Sequence, residues 1–111
     1  MRRIGNTPIL KENEIKRVFE NPKRISSDSF ILLYKDGKEK KVAFTVKKGN
    51  YRTIVERNRM KRILRKLFVE NESQFDKNLN YVFIANRKIL TKDIEKLKEE
   101  FTEIVKKVKE V

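Results

Sequence analysis

The chain contains no cysteine and no histidine. Without cysteine there are neither disulfides nor thiolate metal sites, and without histidine the commonest metal ligand and the usual general base are missing. An enzyme that acts by itself is therefore not expected. No apolar run approaches the roughly 20 residues of a membrane span, and the opening MRRIGNTPIL lacks the apolar stretch of a secretory signal. These absences point to a cytoplasmic protein without membrane contact. Internal repeats, low-complexity segments and interdomain linkers are missing too, so residues 1–111 are expected to fold as a single domain around one core.

Negative charge is the other scarcity. Lys and Arg number 29 against 16 Asp and Glu, a formal net charge of +13, and a polyanionic partner relieves self-repulsion of that size. The excess is localised. From residue 92 onward, six basic residues cancel six acidic ones. Over residues 47–66 there are nine basic residues and one acid, Glu56, which makes this stretch the electrostatic centre.

Apolar spacing supplies the elements. Leu10, Ile15, Val18 and Phe19 fit one face of a first helix over residues 10–20, stopped by Pro22. The runs FILLY (residues 30–34) and Val42, Phe44 and Val46 in alternation read as strands joined by a turn containing Asp36 and Gly37. A short extra strand near residues 24–26 has a weak signal. Over residues 54–70, Met60, Ile63, Leu64, Leu67 and Phe68 form one helical stripe, with Asn58, Arg62 and Arg65 on the opposite side. YVFIA (residues 81–85) reads as a buried strand. Thr91 and Asp93 mark the start of a last helix whose buried face runs from Ile94 to Val108. The order predicts an α/β sandwich with helices against a small sheet.

The most informative string is Arg57-Asn58-Arg59-Met60-Lys61-Arg62-Ile63-Leu64-Arg65-Lys66. Guanidinium groups grip phosphates in bidentate fashion, and the Asn58 amide offers a donor and an acceptor to a 2′-hydroxyl or a base edge. A charge run is ordinarily a solvated face that mixes signs to gain ion pairs one turn apart. Here no acid interrupts residues 57–66, which costs stability unless a partner supplies negative charge.

The pattern R-N-R-x-K-R-x-x-R, formed by Arg57, Asn58, Arg59, Lys61, Arg62 and Arg65, resembles the signature of the bacterial ribonuclease P protein family. Its surroundings agree, with Val46-Lys47-Lys48-Gly49 before the motif and Val82-Phe83-Ile84-Ala85-Asn86-Arg87-Lys88 after it. The resemblance implies an α-β-β-β-α-β-α fold of the ribosomal protein S5 domain 2-like type, with a left-handed βαβ crossover against the usual right-handed rule. It also implies two partners, the catalytic ribonuclease P RNA and precursor tRNA. The motif helix, with Lys66, Lys47 and Lys48, would bind the RNA, and a cleft between the first helix and the sheet would hold the single-stranded 5′ leader. No catalytic residue, protein-bound cofactor or metal, or further protein partner is expected; the Mg²⁺ and the chemistry would belong to the RNA.

For the leader, Phe19, Tyr34 and Phe30 offer rings on which bases could stack, and Lys16 and Arg17 could neutralise phosphates, as Lys47 and Lys48 could. Each ring also has a plain core reading. The sequence departs from the family in three places. GNYRTIVE (residues 49–56) is about two residues longer than the usual segment before the motif. Ile15 stands at a usually aromatic position, and Tyr34 comes one residue late, so strand alternation could turn it to the other face. Rival classes are a ribosomal or ribosome-associated RNA binder and a helix-turn-helix DNA regulator. A third is a metallonuclease built on Asp28, Asp36, Asp76 and Asp93.

Overall fold

In the computed structural model of the chain, the structure describes residues 2–109. Glu110, counted above with the C-terminal acids, lies outside them. Four strands, β3 (Lys23–Ser26), β4 (Phe30–Asp36), β5 (Lys41–Val46) and β6 (Leu79–Ala85), form one sheet in the order β3-β4-β6-β5. Helices α1 (Glu12–Phe19), α2 (Ile54–Glu70) and α3 (Ile94–Lys109) pack on it, and a small hairpin, β1 (Arg3–Ile4) with β2 (Thr7–Pro8), precedes them. β4 and β6 are antiparallel, whereas β5 and β6 are parallel neighbours joined through α2. Apart from the hairpin and two short 3-10 turns, the elements follow the α-β-β-β-α-β-α order that the family resemblance implies.

Strand alternation divides the sheet into two unequal faces. Phe30, Leu32 and Tyr34 of β4, Val42 and Val46 of β5, and Tyr81, Phe83 and Ala85 of β6 point toward α2 and α3. There they meet Met60, Leu64, Leu67 and Phe68 of α2 and Leu97, Phe101, Ile104 and Val105 of α3. Aromatic rings fill this layer: Phe83 lies 5.4 Å from Phe101, and Phe75 lies 5.2 Å from Phe68 and 4.9 Å from Tyr81, centroid to centroid. The opposite face carries a smaller cluster, in which Leu10 and Val18 cover Leu33, Ala43 and Val82.

α1 crosses this second face at one end. The backbone N–H of Leu10 donates to Val42 (3.0 Å), Lys41 pairs with Glu14 (2.7 Å), and Lys35 Nζ donates to the Glu20 carbonyl (2.6 Å). The helix is shorter than residues 10–20, because Asn21 takes a left-handed conformation (φ 57°) immediately before Pro22. In contrast, α2 occupies the span expected from its period. The α3 start is capped by Asp93, whose carboxylate accepts from the Lys96 N–H (3.0 Å), while the Thr91 hydroxyl closes the preceding turn on Lys88 (2.8 Å).

Candidate nucleic-acid interface

The geometry of the basic stretch is set at the start of α2. Thr53 caps the helix, its hydroxyl accepting from the Glu56 N–H (3.1 Å). The Glu56 carboxylate turns back to accept from the Arg52 N–H (2.7 Å) and from both terminal nitrogens of Arg87 (2.9 and 2.8 Å). The Arg87 side chain, followed by the Arg52 amide, holds the Glu56 carboxyl at about 2, well below its usual range. The only acid of residues 47–66 is thereby turned inward and neutralised by an arginine outside the motif. Among the described residues, no carboxylate pairs with any cation of residues 57–66.

The outer face of α2 is correspondingly bare. Asn58, Arg59, Arg62, Arg65 and Lys66 are exposed, while Met60, Leu64, Leu67 and Phe68 are buried against the sheet. A shallow depression is lined by Asn58, Lys61, Arg62 and Arg65. Lys61 is half-buried, and its ammonium pKa is lowered first by that burial and then by the charges of Arg57, Arg65 and Arg2. Arg2 thus adds to the positive field at Lys61, an effect no local sequence signal reveals. Arg57 sits 6.0 Å over the Tyr51 ring, which steers its guanidinium. Lys47 and Lys48 are exposed on the loop before the helix, where Gly49 (φ 94°) makes the turn.

A second surface lies on the α1 side of the sheet. Cross-strand register aligns Ser26, Ile31, Ile84 and Thr45 in one row. α1 covers the neighbouring row of Leu33, Val82 and Ala43 but leaves Ile31, Ile84 and Thr45 only half-buried. Ile15 packs against this cluster, and Phe19, one helical turn further on, is 49% exposed. The result is an apolar, half-open trough with Lys16 exposed on the helix beside it. Arg17 is turned away from it, donating to the Asp36 carbonyl (2.8 Å) at the end of β4.

Phe30 and Tyr34 do not belong to this trough. Phe30 is fully buried, 5.7 Å from Phe101, and Tyr34 is 4% exposed, 6.2 Å from Tyr81. Burial corrects the expectation that these two rings stack on nucleotides. The cause is strand parity: with Phe30 facing α3, every second residue follows it inward, and Ile31 and Leu33 take the other face. The edge of Tyr34 lines a separate cavity of about 600 Å³ with Lys23, Lys77 and Val108, at the end of the sheet away from the start of α2. Ile31, Thr45 and Ile84 were not among the residues singled out in the sequence; alternation separates Ile31 and Leu33 from Phe30, Leu32 and Tyr34 but does not say which set faces which layer.

Two of the four aspartates considered as metal ligands are engaged elsewhere. Asp28 is held by Lys88 and Lys92 (2.8 and 2.7 Å), chiefly through those hydrogen bonds its pKa falls to about 2, and Asp93 caps α3. Among the described residues, no group of three carboxylates converges where an ion could be held.

What the fold presents is a polyanion-binding α/β sandwich, with one uncompensated cationic helix face and an apolar trough on the other side of the sheet. The Ribonuclease P family model matches residues 5–109. A Ribonuclease P protein component from Nitratiruptor sp. is 31% identical over 105 residues, covering 95% of this chain and 94% of its own. Another, from Caldanaerobacter subterraneus subsp. tengcongensis, is 30% identical over 103 residues, covering 91% and 88%. Among solved structures, the RNase P protein from Thermotoga maritima is similar with a TM-score of 0.76 at 20% identity, over 89% of this chain and 96% of that one. The Staphylococcus aureus RNase P protein gives 0.76 at 18% identity, over 92% and 94%. The chain belongs to the ribonuclease P protein family.

Proposed function

We propose that the chain works in the cytoplasm as the protein subunit of ribonuclease P and promotes 5′ maturation of tRNA by contacting two RNAs. The outer face of α2 (Arg57, Asn58, Arg59, Lys61, Arg62, Arg65 and Lys66), with Lys47 and Lys48, docks on the ribonuclease P RNA. The trough beside α1 receives the single-stranded leader of precursor tRNA, with Phe19 as the stacking ring, Ile15, Ile31 and Ile84 as the apolar floor, and Lys16 near the phosphates. Arg17, turned away from the trough and held at the end of β4, adds only long-range positive charge to that side. The observation that carries the reading is the row of motif cations left without carboxylate partners. Such a surface is stabilised by a polyanion that replaces its counterions.

The protein contributes position and charge, and bond cleavage belongs to the RNA. Mg²⁺, in this reading, is bound by RNA oxygens. No step is assigned to a protein-bound ion. Positive charge along the leader raises substrate affinity and lowers the Mg²⁺ concentration that the assembled complex needs.

The deciding experiment is multiple-turnover cleavage of a precursor tRNA at low Mg²⁺ by the cognate RNA, with and without the protein. Stimulated cleavage at the correct 5′ position, absent when the RNA is omitted, is the expected result. A lack of stimulation would move the protein to the ribosomal class of RNA binders. Arg62→Ala and Arg65→Ala are expected to weaken assembly with the RNA, each by about tenfold, while Phe19→Ala lowers precursor affinity and leaves assembly unchanged. Loss of precursor binding alone from both sets would defeat the two-surface arrangement.

A further inference from the structure

Among the described residues, the two most exposed large apolar side chains lie inside the most basic stretch of the molecule. Ile54 is 64% exposed and Val55 77%, and both stand in the first turn of α2. The fold gives them no internal task. A hydrophobic staple pairs the residue before the helix cap with the fourth helical position, and those positions here are Arg52 and Arg57. Capping is done by Thr53 and Glu56, and the buried stripe of α2 begins only at Met60.

Helical geometry places the pair squarely on the RNA-facing surface. Val55, Arg62 and Val69 are spaced two turns apart and so lie on one line along the outer face, while Ile54 stands one turn before Asn58. Any surface that engages Asn58, Arg62 and Arg65 together therefore covers Ile54 and Val55 as well.

Charge selects the occupant. Arg52, Arg57, Asn58 and Arg59 surround the pair, and Glu56, the single acid nearby, is already engaged by Arg87. A second copy of the chain docked here would bring like charge onto like charge. RNA brings phosphates for the arginines, and its ribose and unstacked base faces are the apolar surfaces that two branched aliphatic side chains can cover. Excluding water there also lowers the local dielectric and strengthens the adjacent phosphate contacts.

We infer that Ile54 and Val55 form an apolar contact with the ribonuclease P RNA, packing on ribose and base faces of nucleotides adjoining those whose phosphates the arginines of α2 hold. The inference rests on the docking of α2 proposed above. The contact adds affinity independent of salt to an interface that is otherwise electrostatic.

The test is equilibrium binding of the full chain to a transcript of the ribonuclease P RNA from the same genome, across a KCl series. The proteins compared are the parent, Ile54→Ala/Val55→Ala and Arg62→Ala. Alanine has a higher helix propensity than either residue it replaces, so the helix is not weakened, and thermal melts check this. The double substitution is expected to raise Kd about tenfold at every salt concentration with the log–log slope unchanged. Arg62→Ala should instead flatten that slope by about one. If the double variant binds like the parent while Arg62→Ala binds weakly, the apolar contact is wrong and the docking stands. If Arg62→Ala also binds like the parent, the docking itself has failed. Parent self-association in sedimentation, or parent binding to phosphatidylglycerol vesicles, that the double substitution abolishes with RNA affinity intact would overturn the inference in favour of that occupant.

Discussion

Phe19 and Phe30 place the same ring in opposite surroundings. Phe30 is sealed against Phe101, whereas Phe19 is half in water at the end of α1. Phe30→Ala is expected to cost about 3–5 kcal/mol of stability through the cavity it leaves, read as a lower denaturant midpoint. Phe19→Ala should leave that midpoint within about 0.5 kcal/mol and act on precursor binding alone. Glu56 makes a prediction about acidity. Its carboxyl is held at about 2 by Arg87 and the Arg52 amide, against an ordinary value of 4.5. A depressed folded-state pKa contributes stability that is complete above the unfolded value and is lost as pH falls through the folded one. The Glu56 contribution is therefore whole above 4.5 and disappears toward about 2. Glu56→Gln is expected to reduce the slope of stability against pH in that interval by up to about one proton, and an unaltered slope in acid unfolding would disprove the assignment.

Among elements, α2 was the most legible in sequence. Its apolar stripe has a clear period, and the observed helix Ile54–Glu70 has the expected bounds. Its inner and outer residues were also assignable, since a helix face follows from spacing alone. The β1–β2 hairpin was illegible. Its strands are two residues each, and what fixes its turn is the Glu72 carboxylate, which accepts from the Asn6 N–H (2.7 Å) and from the Thr7 hydroxyl. That partner is distant in sequence, and the turn also depends on Gly5 at φ 60°. Tyr34 was misplaced for a related reason: FILLY is apolar at every position, so period alone could not say which half of the strand faced which layer. Removing the cap tests how far α2 depends on its own start. Thr53→Ala is expected to lose about 1 kcal/mol and to fray the turn that presents Arg57, measurable as reduced helicity by circular dichroism and weaker RNA binding.

For the whole molecule, the missing histidines become a property. With none of the side chains that ordinarily titrate near neutrality, the thermal midpoint is expected to be flat between about pH 6 and 8, so a step in that range would reveal an unrecognised coupled group. The unequal division of the sheet has a dynamic consequence. The aromatic layer under α2 and α3 is continuous, whereas α1 is held by a handful of aliphatic contacts and a few hydrogen bonds at its ends. Opening free energies follow buried apolar contact, so α1 should detach as a separate cooperative unit well before the sheet loses its ladder. Amide hydrogens at residues 15–19 would then exchange with deuterium far sooner than those of β6. The wall of the trough would thus swing aside while the outer face of α2, with Arg62 and Arg65, stays fixed, so that the proposed leader path opens and closes without disturbing the proposed RNA contact.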